Sequence, residues 1–250
     1  REIESFLQYL QLIIMEIYLV GGAIRDELLG IANEGTEKDF VIVGSSPEEM
    51  KSLGYRQVGK EFPVFLHPQS SEEYALARLE RKVGLGYTGF EFDTSKSVTL
   101  KQDLSRRDLT INAIAQKQNG NGDLVDPFNG QGDIKLRTLR HVSEAFSEDP
   151  VRILRTARFA SRFHSLGFNI ADETFQLMKQ MVSSGEVDSL IPERVFKELS
   201  LSIESEKPSI FFEVLIESGA YERLFPMLDI RKTSNMQILD VPTELPEVRF

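Results

Sequence analysis

Two carboxylates two residues apart, Glu37 and Asp39, stand just ahead of the apolar run Phe40-Val41-Ile42-Val43. A strand alternates its side chains, so both acids should share one face while Lys38 points away. Acids paired in this way can hold divalent ions. Phosphoryl and nucleotidyl transfer use such a pair: two metal ions, typically Mg²⁺, about 3.5 to 4 Å apart, activate a hydroxyl and stabilise a departing pyrophosphate. Upstream, Ile17-Tyr18-Leu19-Val20 reads as a strand that stops at Gly21-Gly22, and Ala23 to Leu29 reads as a helix with Gly30 as its stop. Unpaired N–H groups at that turn, with Arg25 one turn in, surround a volume suited to a phosphate. Each piece also has a plainer role: a simple turn, a solvated strand edge, or an Arg25-Asp26 surface ion pair worth little.

Two further stretches could do chemistry. Asp103-Leu-Ser-Arg106-Arg107-Asp108-Leu-Thr-Ile-Asn112-Ala-Ile-Ala115 reads as a basic pair beside an acid at the start of a helix whose other face is Leu109, Ile111 and Ala113 to Ala115. Alone, Arg106-Arg107 is more often a solvated pair. In Glu148-Asp149-Pro150-Val151-Arg152-Ile-Leu-Arg155-Thr-Ala-Arg158-Phe159, Pro150 marks a first helical position and Asp149 its N-cap. Capping alone would explain Asp149 but leaves the arginines. At three-residue spacing, Asp149, Arg152 and Arg155 lie on neighbouring faces of successive turns, with Arg158 swung further round.

An Asp-Arg pair has a definite base preference. Ionised Asp only accepts hydrogen bonds and Arg only donates them. Cytosine and adenine each present an amino donor beside a ring acceptor, so both fit. Guanine and uracil present a carbonyl acceptor beside a ring N–H, the reverse order. Leaving buried polar groups unpaired costs about 1 to 3 kcal/mol each, enough for strong rejection.

Taken together, G-G-x-x-R-D, L-L-G, E-x-D before a strand, R-R-D-x-T-I-N-A, D-P-x-x-G-x-x-D from Asp126 to Asp133, and E-D-x-x-R resemble the polymerase-β-like nucleotidyltransferases. Within them the chain is most similar to the class II tRNA nucleotidyltransferases, the bacterial CCA-adding enzymes, with related poly(A) polymerases further off. The resemblance covers most of residues 17 to 225. It implies an α/β head with a mixed sheet and helices, followed by an all-α neck. It also implies that Gly22 and Arg25 hold the triphosphate, that Glu37 and Asp39 are catalytic Mg²⁺ ligands, and that Arg107 reaches the nucleotide phosphates or sugar. Asp108 and Asn112 would hold the ribose side, Asp149 and Arg152 would read the base, and Arg155 and Arg158 would contact the nucleotide. The family usually has Asp at both acidic positions. Glu37 departs from that on a longer stem, after a loop (Ile31 to Thr36) that looks slightly long.

The implied reaction is transfer of CMP and AMP from CTP and ATP to the 3′ end of tRNA, releasing pyrophosphate, by a cytoplasmic enzyme. Two other readings remain open: an A-adding or poly(A) polymerase relative, and a catalytically impaired nucleotide- or RNA-binding module. Gly84 to Leu100 reads as a mobile loop. A flexible loop in this region helps the family change from adding C to adding A, and its length here favours an enzyme able to add A.

Composition agrees with carboxylate and arginine chemistry. There is no cysteine, and His67, His141 and His164 are scattered, so thiolate and zinc sites are excluded. The formal net charge of −10 confines any RNA contact to a local basic face. No apolar run reaches the roughly 18 to 20 residues of a membrane span.

The expected organisation is a head over residues 15–140, a neck over 141–228, and the start of a truncated region over 229–250. Residues 1–14 read as an upstream extension before a natural start at Met15. Within the head, a helix is expected over Pro47 to Leu53 and strands over Tyr55 to Val58, Val64 to His67 and Tyr74 to Lys82. Gly59 to Pro63 reads as a turn. Glu80 is either a third metal carboxylate or half of a cross-strand ion pair. The Asp126 to Asp133 motif reads as a turn holding head against neck. The neck should carry helices over Asp172 to Ser183, Pro192 to Glu204 and Pro208 to Ser218. Arg194 and Lys197 read as solvated charge, though they could touch RNA.

Overall fold

The computed structural model describes residues 15–58, 64–82, 90–118, 122–227 and 240. The expected turn at Gly59 to Pro63, the glycine-rich part of the expected loop, residues 1–14 and nearly all of 229–250 lie outside the described residues. The chain divides into two units, Arg1–Val83 with Phe90–Ile134, and Gly84–Gly89 with Lys135–Phe250.

The first unit runs β1 (Glu16–Val20), α1 (Gly22–Leu28), β2 (Asp39–Val43), α2 (Pro47–Ser52), β3 (Arg56–Gln57), β4 (Val64–Leu66), β5 (Glu73–Leu76), β6 (Leu79–Lys82), β7 (Phe90–Asp93), α3 (Leu100–Ser105), β8 (Ala115–Lys117), β9 (Leu124–Val125) and α4 (Gly130–Leu136). Seven strands form a mixed sheet in the order β3-β4-β5-β2-β1-β8-β9. Its centre is the antiparallel β1-β2 pair, with β5 parallel to β2. Phe40, Val41 and Ile42 are buried in succession, as expected of a central strand covered on both faces. Ser46 and Glu49 form a reciprocal capping box with Pro47 at the first helical position of α2.

Three expectations are corrected here. Tyr74 to Lys82 is two strands in different sheets. At Ala77 and Arg78 the backbone leaves the large sheet, with the Arg78 N–H donating to Asp103 Oδ1 (3.2 Å). The stretch expected as loop up to Leu100 contains β7, which pairs antiparallel with β6 from Leu79↔Asp93 to Lys82↔Phe90. The Arg106-Arg107-Asp108 segment follows a helix instead of opening one. α3, boxed in by Thr99 and Gln102, ends at Ser105, and only a 3-10 turn at Thr110–Asn112 comes after.

Asp126 caps α4 by accepting from the N–H groups of Gly130 (2.7 Å) and Gln131 (2.9 Å). Asp133 accepts from Thr110 Oγ1 (2.7 Å), so this motif folds back onto the R-R-D-x-T-I-N-A segment. A Cβ on Gly130 would lie 2.3 Å from the Thr110 carbonyl oxygen, which explains the glycine.

The second unit holds β10 (Thr138–Leu139), α5 (Val151–Arg162), β11 (Asn169–Ile170), α6 (Asp172–Ser183), α7 (Pro192–Ile203), α8 (Pro208–Ser218) and α9 (Ala220–Leu224). The amphipathic periods of α6, α7 and α8 predict their positions to within a residue. Phe146, Ile153, Leu154, Ala157, Phe163, Met178, Phe211 and Leu215 are fully buried and form its core. Among the described residues, no helix is long and apolar enough to cross a membrane.

Candidate active site

The register Val20↔Asp39 sets the first residue of β2 opposite the last of β1, so Asp39 lies at the sheet end where Gly21 turns the chain into α1. Gly21 has φ +73° and ψ −123°, a conformation that favours glycine. The expected residue Gly22 follows as the first residue of α1. The backbone demand falls on Gly21, to which the sequence reading assigned no separate role. A Cβ on Gly21 would lie 3.1 Å from Arg107 Nη1. Arg107 therefore rests against this turn, although 86 residues separate the two in sequence.

Glu37 precedes β2, so strand alternation does not place it, correcting that step of the sequence argument. The two acids nonetheless feel each other. Asp39 is exposed at the strand end, yet local desolvation raises its carboxyl above the usual range, Arg107 pulls it back down, and the Glu37 charge raises it again. Glu73 stands opposite Asp39 across the parallel β2-β5 register, an acid that only strand pairing could have revealed.

Behind the turn lies a buried polar chain. Arg25 is 3% exposed and donates through Nε (2.8 Å) and Nη2 (2.7 Å) to Asp26 Oδ1, so this pair is a buried one and not the surface pair considered above. Its Nη1 donates to Asn112 Oδ1, and Asn112 Nδ2 donates to Asp108 Oδ1 (3.0 Å). Asp108 Oδ1 also accepts from the Leu109 N–H (2.7 Å). The structure thus brings Gly21, Gly22, Arg25, Arg107, Asp108 and Asn112 together at one end of the sheet.

Asp103 anchors the adjoining arginines. Its carboxylate is wholly buried and accepts from Arg106 Nη2 (2.6 Å) and Nε (3.1 Å) and from Arg107 Nη2 (3.3 Å). Burial alone would push its pKa up, but Arg106 and Arg107 hold it below the usual carboxylate range. Glu80 accepts from Arg78 Nε (2.8 Å) and Arg106 Nη1 (2.8 Å), which favours the ion-pair alternative over a metal ligand. Arg107 differs from these. Among the described residues, its Nε is a buried donor with no hydrogen-bond partner.

In the second unit, α5 begins at Val151 with Pro150 at its N-cap, one residue later than expected, so Asp149 precedes the cap and accepts from the Val151 N–H through Oδ1 (3.2 Å). Arg152 is buried and donates through Nη1 to the Ala145 carbonyl. Arg158 Nε donates to Glu198 Oε2 (2.6 Å), and Arg155 lies 3.7 Å from Glu198 Oε1. The expectation for Arg194 is overturned. It is not solvated but forks onto Asp149, with Nη1 2.9 Å from Oδ1 and Nη2 2.7 Å from Oδ2. Lys197 is exposed, as expected.

Residues 17–140 match the family model described as "Poly A polymerase head domain", and residues 167–231 match "Probable RNA and SrmB- binding site of polymerase A". A "Multifunctional CCA protein" of Teredinibacter turnerae (strain ATCC 39867 / T7901) is 60% identical over 215 residues, covering 86% of this chain and 51% of that protein. The chain belongs to the class II CCA-adding enzyme family. It spans about half the length of the curated relatives it matches. Among solved members, a CCA-adding enzyme in complex with CTP is 30% identical with a TM-score of 0.68, over 90% of this chain and 54% of the other. A tRNA nucleotidyltransferase complexed with a primer tRNA and an incoming ATP analog is 29% identical with a TM-score of 0.69, over 95% and 65%.

The family typically uses divalent metal, and the donor set here fits one. Glu37 and Asp39 supply carboxylates that repel each other in the absence of a cation. Among the described residues, no group of three or more His, Cys, Asp or Glu could hold a metal ion alone.

Proposed function

We propose that the protein adds CMP and AMP from CTP and ATP to the 3′ end of tRNA, releasing pyrophosphate. The observation that carries this reading is the unpartnered Nε of Arg107, buried beside the Gly21 turn and close enough for its charge to act on Asp39. A buried guanidinium N–H without an acceptor costs about 1 to 3 kcal/mol, and a triphosphate oxygen would satisfy it. Arg107 and the Gly21-Gly22 turn hold the triphosphate, and the Arg25-Asn112-Asp108 chain keeps the turn rigid. Glu37 and Asp39 would hold Mg²⁺, which supplies Lewis-acid stabilisation of charge on the attacking and leaving oxygens. In the second unit, Asp149 and Arg152 read the base edge, accepting cytosine and adenine and rejecting uracil and guanine.

The test is side-by-side incorporation of the four nucleotides, with Mg²⁺, on tRNA lacking its terminal CCA and on tRNA ending in CC. C addition to the first and A addition to the second is the expected result. Incorporation of ATP but not CTP would mark an A-adding enzyme instead. No incorporation, with nucleotides still bound, would mark an impaired module.

A further inference from the structure

α7 faces α5 with a complementary row of charge. Arg194 and Glu198 lie one turn apart on α7. Arg194 forks onto Asp149, and Glu198, buried at 4% exposure, takes Arg158 and neighbours Arg155. Asp149 can be followed atom by atom. A carboxylate offers about four acceptor sites, two on each oxygen. Oδ1 receives Arg194 Nη1 (2.9 Å) and the Val151 N–H (3.2 Å), and Oδ2 receives Arg194 Nη2 (2.7 Å). Among the described contacts, a single acceptor site is left, on Oδ2.

We infer that Arg194 is a positioning residue for base selection: its fork fixes the plane of the Asp149 carboxylate and leaves one acceptor direction for the amino group of the incoming base. This rests on the base-reading role of Asp149 in the proposed function. A bidentate pair holds a carboxylate in one orientation, which a point charge or solvent does not. Without the fork, the carboxylate turns about its terminal torsion, which is broad for Asp. It then swings away from the O4 carbonyl of uracil, and the acceptor-against-acceptor clash that rejects UTP weakens.

The experiment measures kcat and KM for CTP and for UTP on tRNA lacking its terminal CCA, using the intact protein and its Arg194→Ala, Arg194→Lys and Asp149→Ala forms. The CTP-to-UTP ratio of kcat/KM is internal to each preparation, so partial loss of folded protein cancels. Arg194→Ala should lower the ratio by about tenfold or more, of the order that loss of an oriented polar contact produces. Arg194→Lys should recover CTP turnover while the ratio stays low, because lysine restores the charge without the fork. If Arg194→Ala is inactive, Arg194→Lys decides by the same ratio. An unchanged ratio in the Arg194 forms while Asp149→Ala collapses it overturns the inference and leaves the base-reading role standing. An unchanged ratio in Asp149→Ala overturns both.

Discussion

Arg25 and Asn112, 87 residues apart in sequence, meet in a buried hydrogen bond from Nη1 to Oδ1. Through its own amide, Asn112 passes the connection on to Asp108. One side chain therefore ties the helix after the glycine turn to the segment that carries Arg107.

Replacing Asn112 with Leu keeps much of the volume but removes both contacts. Two buried charged groups each lose a partner, at about 1 to 3 kcal/mol apiece. Thermal unfolding should show a clear loss of stability, and calorimetric titration should show weaker CTP and ATP binding. Equal stability would mean that water replaces the amide without cost.

The buried Asp103 carboxylate neutralises a cluster of arginines, and Asp103→Asn leaves Arg106 and Arg107 without it. Breaking a buried ion pair from one side typically costs about 3 to 5 kcal/mol. The sign with pH follows from its depressed folded pKa. The stabilisation is fully present above the unfolded carboxylate pKa and is lost as pH falls through the lower folded one. Chemical denaturation should therefore show a large gap between the two proteins at pH 7 that narrows in strong acid.

Asp39 titrates in the opposite sense. Its raised pKa means that the folded state holds the proton more tightly than the unfolded chain does. Stability falls as pH rises from the ordinary carboxylate range through the folded pKa. Asp39→Asn should abolish nucleotide transfer yet unfold at a higher temperature than the parent at pH 7, with the advantage fading toward pH 3. An advantage that persists at pH 3 would point to packing instead of charge.

A methyl group at position 130 meets the Thr110 carbonyl and the Ile114 side chain, 2.3 and 2.8 Å from the added carbon. Gly130→Ala should lower stability by about 1 to 3 kcal/mol, the usual range for overpacking. Denaturant midpoints at constant slope would measure it.

Local chemistry made much of this protein legible in its sequence. The β1-turn-α1 unit, the proline-led helices α2, α7 and α8, and the acidic and basic clusters follow from patterns within a dozen residues. What failed were inferences that carried a local pattern past its end. Strand alternation was extended back to Glu37, one strand was drawn across the exit at Ala77 and Arg78, and a helix was begun at Arg106 where α3 had already ended.

The sequence by itself determined which side chains were available: two acids, a glycine turn, an arginine-acid run and an Asp-Arg helix start, and no thiols. Only the tertiary structure decided which partners they took. It set Arg107 against Gly21, Asn112 between Arg25 and Asp108, and Arg194 on Asp149. Apart from the local Asn112–Asp108 bond, these pairings join residues 45 to 87 positions apart and depend on strand register and helix packing. Propensity and periodicity act within one element and carry no information about which distant element it will meet.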